Sequence, residues 1–482
     1  MKLAAVSAPA KPNIIADIAT NASILSFGVI EAIVYVEAIS CFFNTNTATN
    51  ENIISIALGI VEPNAPVLVN IFVKLIPLVA IRDNAQNIIK DNISTKDHMH
   101  TSGGSLALAD LYAPFDAFII KKLRASGAIL LGKTNMGELM NFMSYTMPDG
   151  YSSRGGQVYN PYDRSLTPSG SSSGSAVAVA ANLAMAAIGT ETNGSLTMPA
   201  RYNQLVTIKP TVGLVSRQGI MPISYYQDTP GPMARSVADA TILLEAIVGR
   251  DEQDELTDRS MGRIPKSYRE ALGKDINGKR IGYNPKTFEE LDSEEKRVMQ
   301  EAMEILEKAG AHLIPTLLEE IGDYGFKPNL YEFKAGFNRY LKSVKGATKI
   351  ETLQDLIAFN EAHPDTCLKY GQDILYEAQA TTGNLSDPYY MRLRQNSLQQ
   401  VRTIGMDRHF AKDHLDAFMT MSISSLAPVS GYPSLALPAG WKREGEPMSL
   451  LLIGKAFTES MLIRIGYQYE KRAQKRKAPI LG

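Results

Sequence analysis

The 482-residue chain is poor in the side chains that most often mark a site, with two cysteines, six histidines and one tryptophan. Cys41 and Cys367 stand far apart with no metal-ligand spacing around them. That excludes a disulfide-stapled scaffold and a zinc ribbon and points to the reduced thiols of a cytoplasmic protein. Charge of one sign is lacking too. A formal net charge of -1 offers no footprint for nucleic acid or an anionic membrane surface. The basic run Lys471, Arg472, Lys475, Arg476 and Lys477 reads as a solvated helix end. Long apolar runs are also missing. Glu31 and Glu37 break the stretch 24–43, and Glu62, Pro63, Asn64, Pro66, Asn70 and Lys74 break the stretch 53–81. Neither supplies the roughly 20 apolar residues of a membrane span, so buried helix or strand is expected in both. The opening MKLAAVSAPAKPN has no sustained apolar segment ahead of Pro9 and Pro12, which argues against a secretory leader.

What remains is ordinary globular composition, 45% hydrophobic and 21% charged, in a chain long enough for one large domain or two. Residues 1–87 differ in character from the rest: they are rich in Ile, Val, Ala and Asn and keep neither helical nor strand periodicity. From residue 88 the pattern becomes regular. Ile88-Ile89-Lys90-Asp91-Asn92-Ile93 is a short apolar run with a lysine inside it, either an edge residue or a buried amine held for chemistry. Residues 115–127 read as an amphipathic helix with Ala117, Ile120 and Leu123 on one face, and 128–131 as a buried strand ending at Gly132-Lys133-Thr134-Asn135. Helical stretches at 236–248 and 293–308 alternate with strand ends or turns at Gly189, 208–213 and 279–283. Such alternation specifies an α/β architecture around a central sheet. Residues 320–405 are expected to be largely helical and carry many aromatics, among them Phe326, Tyr331, Phe333, Phe337, Tyr340 and Tyr376. Most of these should be core, with some lining an apolar pocket.

The densest chemistry lies in residues 167–200, TPSGSSSGSAVAVAANLAMAAIGTETNGSLTMPA. A Ser/Gly loop opens an Ala-rich segment that reads as one helix, and a second tight turn, Thr192-Asn193-Gly194-Ser195, follows it. A hydroxyl-rich loop at a helix N-terminus offers N–H groups and a positive dipole end to an anion, a phosphate or a developing oxyanion. No lysine follows Gly174, which disfavours a phosphate loop. A nucleophile elbow is matched literally by Gly170-Ser171-Ser172-Ser173-Gly174, with Ser172 at its centre. Residues 157–168 are polar and contain Pro161 and Pro168, however, so the strand that must lead into an elbow is missing.

A third reading joins Lys90, the serine loop and Gly189-Thr190-Glu191-Thr192-Asn193-Gly194-Ser195. Further pieces are Gly132-Lys133-Thr134-Asn135-Met136, Ile208-Lys209-Pro210-Thr211-Val212-Gly213, Gln227-Asp228-Thr229-Pro230-Gly231-Pro232-Met233 and Gly431-Tyr432-Pro433-Ser434. Together they resemble the amidase signature family of serine amidohydrolases over about residues 88–470, and Ser195 follows Ser171 by the family's 24 residues. The resemblance implies a large mixed central β-sheet flanked by helices in residues 88–482, with 320–405 a variable, aromatic-rich helical insertion on the substrate side. It implies an amide hydrolase, nearer to general and peptide amidases than to the subunit that supplies ammonia for tRNA-linked transamidation. The substrate would be a small-molecule or peptide carboxamide, with no metal or organic cofactor and neither nucleic acid nor membrane as partner. In that scheme Ser195 is the nucleophile, Ser171 relays its proton through a cis peptide, and Lys90 is the general base. The backbone of Thr192, Asn193, Gly194 and Ser195 forms the oxyanion hole. An ordinary lysine, with a pKa of about 10.4, is charged at neutral pH, so burial among Ile88, Ile89 and the loop must lower it.

Departures from the family pattern concern three places. Asn193 stands where Gly or Asp is usual, a residue that tolerates left-handed backbone. Thr197 replaces a frequent Arg. Residues 1–87 lack the family's N-terminal helical region and its Gly-Ile-Pro-Val-type strand, a break that a shifted reading frame would produce. The alternative from another class is a catalytically inactive amidase-like binding protein, in which Lys90, at the seam with that segment, has lost its buried setting.

Overall fold

The computed structural model describes residues 55–58, 71–74, 86–318, 324–421 and 425–481. Ten strands form one mixed sheet: β1 (Gln86–Lys90), β2 (Ile129–Thr134), β3 (Ala186–Glu191), β4 (Val206–Lys209), β5 (Thr229–Ala234), β6 (Arg280–Tyr283), β7 (His312–Pro315), β8 (Ala417–Thr420), β9 (Ser434–Trp441) and β10 (Pro447–Ile453). Their spatial order is β7-β6-β8-β10-β9-β4-β5-β3-β1-β2. β1 runs parallel to β2 and β3, β6 runs parallel to β7 and β8, and the other neighbours are antiparallel.

Helices cover both faces of this sheet, because consecutive strand residues point to opposite sides. Ile89, Ile188 and Leu435 face a core shared with α1 (Phe118–Ala125), while Ile88, Ala187 and Ala436 face one shared with α2 (Ser173–Ala180) and α3 (Thr197–Tyr202). The first of these cores also takes in α4 (Val237–Ile247) and α5 (Ser293–Lys308). Local sequence sets several of the boundaries. Ser236 caps α4 through the Asp239 N–H, and Asp292 with Glu295 forms a reciprocal capping box that starts α5. Val298, Ala302 and Leu306, one helical face of α5, are buried.

One expectation fails inside the Ala-rich stretch. The helix stops at Ala180, left-handed Asn182 turns the chain, and residues from Ala186 become β3 rather than more helix. Alanine favours helix locally, but a strand paired on both sides, with β1 and β5, outweighs that small preference.

The region after β7 is helical as expected, with α6 (Phe326–Ser343) followed by helices Leu353–Ala362, Asp373–Ala380 and Pro388–Ser397. Phe333 and Phe337 are fully buried with ring centroids 5.3 Å apart, whereas Tyr376 is exposed. Their core includes Leu139, Met140, Phe142 and Met143, so this region packs against the segment that follows β2. Residues 55–58 and 71–74 pair as antiparallel strands, and most of both N-terminal apolar stretches, with Cys41, lies outside the described residues. Among the described residues no helix is long and apolar enough to cross a membrane.

Candidate active site

Parallel pairing of β1 with β3, with Ile89 opposite Ile188, delivers the C-terminal ends of both strands to one sheet edge. Lys90 and Thr190 meet there, at the kind of strand-end crevice where α/β sheets bind ligands. Lys90 is completely buried. Its Nζ lies 2.6 Å from Ser171 Oγ, 3.0 Å from Ser172 Oγ and 3.2 Å from the Thr190 carbonyl oxygen. Burial lowers its pKa from 10.5 to about 7, against the opposing pull of the negative charges on Asp228 and Glu191. The enclosed amine is therefore assembled from the serine loop and β3, both within the described residues.

The serine loop reaches Lys90 because it is pinned from several sides. Its Gly170-Ser171 peptide is cis. The Gly137 N–H donates to the Ser171 carbonyl at 3.0 Å, and a Cβ on Gly170 would lie 2.2 Å from Asn141 Nδ2. The two serines then divide by their hydrogen bonds. Ser172 Oγ donates to the Thr190 carbonyl at 3.0 Å and accepts from the Thr190 N–H at 3.2 Å as well as from Lys90. That hydroxyl is saturated, and no strand leads into the loop, so Ser172 has the bonding of a brace and lacks the setting of an elbow nucleophile. The fully buried Ser171 hydroxyl has Lys90 as its single partner among the described residues. Gly189 allows this approach: a Cβ there would stand 2.8 Å from Ser172 Oγ and 2.7 Å from Leu196 Cδ2.

Beyond β3 the 192–195 turn is held by three side chains that sequence reasoning did not assign. Glu191 Oε2 accepts from Leu196 N–H at 2.8 Å, Thr197 N–H at 3.0 Å and Thr197 Oγ1 at 3.2 Å. Asp228 Oδ1 accepts from Thr192 Oγ1 at 2.6 Å, and Gln227 Nε2 donates to the Thr192 carbonyl at 3.1 Å. Gln227-Asp228-Thr229 was visible as a motif, but only the fold places it beside Thr192. Thr197, in place of the usual Arg, here closes on Glu191. The left-handed residue of the turn is Gly194, with φ +85°, and not Asn193, whose amide meets Ser425 Oγ at 3.2 Å instead. The N–H groups of Asn193, Gly194 and Ser195 donate to no other described residue, and the Ser195 hydroxyl, on a residue 8% exposed, is likewise unengaged. A low-pKa amine, a hydroxyl bound to it, a second hydroxyl left free and a row of open N–H donors together suit acyl transfer.

Beside the turn lies a small, partly open pocket with Thr192 and Asp228 on one wall and Met140, Met221, Pro222 and Ile223 among its apolar groups. Leu139, Met140 and Asn141 are successively left-handed, with φ of 46°, 62° and 63°. Such backbone costs about 1–2 kcal/mol per residue, and here the Leu139 N–H bond to the Gly103 carbonyl and the Asn141 amide bond to Asp149 hold it. Among the described residues no three His, Cys, Asp or Glu side chains converge as a metal site would.

Comparison with known proteins identifies the family. The sequence model of the family described as Amidase matches residues 87–463. A native peptide amidase from Stenotrophomonas maltophilia superposes with a TM-score of 0.79 at 43% identity, covering 82% of this chain and 84% of that one. An amidase family protein from Bacillus anthracis gives a TM-score of 0.79 at 37% identity, covering 82% and 79%. A probable amidase of Arabidopsis thaliana is 39% identical over 404 residues, which is 81% of this chain and 77% of the relative. The chain belongs to the amidase signature family of hydrolases.

Proposed function

We propose that the chain hydrolyses carboxamides through an acyl-enzyme on Ser195, with Lys90 as general base and Ser171 as proton relay. The observation that carries this reading is the 2.6 Å contact between Lys90 Nζ and Ser171 Oγ, made by an amine whose pKa has fallen to about 7. A neutral Lys90 donates to Ser172 Oγ and the Thr190 carbonyl and keeps its lone pair for the Ser171 proton. Ser171 in turn takes the proton of Ser195 as Ser195 Oγ attacks the amide carbonyl. The N–H groups of the 192–195 turn receive the oxyanion, each such donor being worth about 3 kcal/mol in the transition state. The relayed proton then passes to the leaving nitrogen, ammonia or an amine departs, and water cleaves the ester to free Ser195 and a carboxylic acid.

Peptide amides are the substrate class favoured, on two grounds. One similar protein is a peptide amidase. The pocket beside the turn also has apolar walls, and its charged groups already have protein partners: Asp228 is bound by Thr192, Ile223 and Ser224, and Arg217 by Asp254. It therefore suits an uncharged side chain on the acyl side of the scissile bond. Ammonia release from peptide amides by the wild type, abolished in Ser195→Ala, is the test. A fluorophosphonate probe should label Ser195; label on Ser172, or full activity in Ser195→Ala, would refute the assignment.

A further inference from the structure

We propose that Asp228 is a positioning residue of this site, holding the 192–195 turn in place by binding Thr192 on one carboxylate oxygen and the backbone of residues 223 and 224 on the other. The proposal rests on the reading of Ser195 as nucleophile. β3 and β5 are antiparallel, and Glu191 opposite Thr229 is their last pair, so Thr192 and Asp228 face each other one step beyond the ladder. Oδ1 accepts from Thr192 Oγ1 at 2.6 Å, and Oδ2 accepts from the Ile223 and Ser224 N–H groups at 2.7 Å and 2.9 Å. Gln227, the preceding residue, holds the Thr192 carbonyl at 3.1 Å. Thr192 is thus gripped at both its hydroxyl and its carbonyl. Because a peptide unit is planar, fixing that carbonyl also fixes the direction of the Asn193 N–H, one of the open donors of the turn. None of this requires contact between Asp228 and substrate.

Its charge gives the same residue a second, measurable effect. Asp228 and Glu191 are the negative groups that face Lys90, and both favour its ammonium form. Arg217, paired with Asp254, faces Asp228, and Lys209 on β4 faces Glu191. On the far side of β1, Lys133 of β2 turns to Thr101 and is influenced by Asp91, Asp97, Asp116 and Arg154. α2 carries no charged residue. Desolvation pushes the Asp228 carboxyl up to about 6, so it is ionised at neutral pH and above. Removing that charge lets the Lys90 pKa fall further, which moves the acid limb of kcat/KM to lower pH. A purely structural prop would not move that limb.

The experiment compares Asp228→Asn with Thr192→Val, measuring ammonia release from a neutral peptide amide between pH 5 and 9. Asp228→Asn should lower kcat on the order of tenfold or more and shift the acid limb down by roughly half a pH unit or more. Thr192→Val removes the hydrogen bond but leaves the carboxylate, so it should lower kcat with a smaller shift of the limb than Asp228→Asn gives. A wild-type kcat in Thr192→Val, or an unshifted limb in folded Asp228→Asn, overturns the proposal. Should Asp228→Asn fail to fold, Thr192→Val still decides the positioning role. Ser195→Ala is the control: its activity must be lost whatever Asp228 does, and activity in that variant would refute the underlying reading instead.

Discussion

Lys90 carries the sharpest prediction, since the proposed mechanism needs it neutral at working pH. A fall in pKa from 10.5 to about 7 amounts to about 5 kcal/mol of lost preference for the ammonium. At pH 7.5 about three quarters of the amine is then free base, against about 0.1% for an unperturbed lysine, so burial supplies roughly a thousandfold more base. The base is active when deprotonated, so kcat/KM for a substrate that does not titrate should rise with pH through about 7 and level off above 8. Lys90→Met should remove the limb and cost on the order of 10³-fold in kcat/KM. Folding should survive that change. Methionine has similar length, loss of the buried amine's desolvation penalty offsets the stranding of the Ser171 hydroxyl, and the Thr190 carbonyl and Ser172 hydroxyl keep each other as partners. We expect its unfolding free energy within about 1–2 kcal/mol of wild type by urea denaturation. A rate still climbing toward pH 10, or a Lys90→Met enzyme with wild-type kcat/KM, would refute the base assignment.

Other outcomes follow from the same contacts. Ser172→Ala strands the buried Thr190 N–H and loosens Lys90, so kcat/KM should fall about 10- to 100-fold, while the fluorophosphonate label stays on Ser195; complete loss of labelling in a folded variant would reopen the elbow. Gly189→Ala forces Ser172 and Leu196 apart and should cost about 1–3 kcal/mol of stability along with most activity, read by melting and by ammonia release. Asp292→Ala removes the capping box of α5 and an ion pair to Lys442 at 2.9 Å, far from the site in sequence and role. It should lower stability by about 1 kcal/mol with kcat unchanged. Ile223→Asp places an unpaired charge in the apolar wall and should depress kcat/KM for leucine amide far more than for glycine amide; equal losses on both would argue against that pocket as the side-chain subsite.

By itself the sequence determined the parts and their order. The alternation of periodicities specified a sheet between helices, and the capping of α5 and the amphipathic face of α1 are local properties of short segments. Resemblance to a known family, through the 24-residue interval between Ser171 and Ser195 and the Ile-Ile-Lys-Asp-Asn-Ile run upstream, made Lys90, Ser171 and Ser195 the candidates. Tertiary structure decided what those groups experience. Parallel pairing of β1 and β3 put Lys90 beside Thr190, and only the enclosure that results lowers its pKa, a property no spacing encodes. Adjacent serines look alike in the sequence; Ser172 is spent on Thr190 while Ser171 is left with Lys90, a difference set by strand β3. The same pairing turned the second half of an alanine-rich run into strand against its local preference. Glu191, Gln227 and Asp228 became parts of the site because antiparallel β5 returns beside β3, and long-range register of that kind depends on the whole sheet.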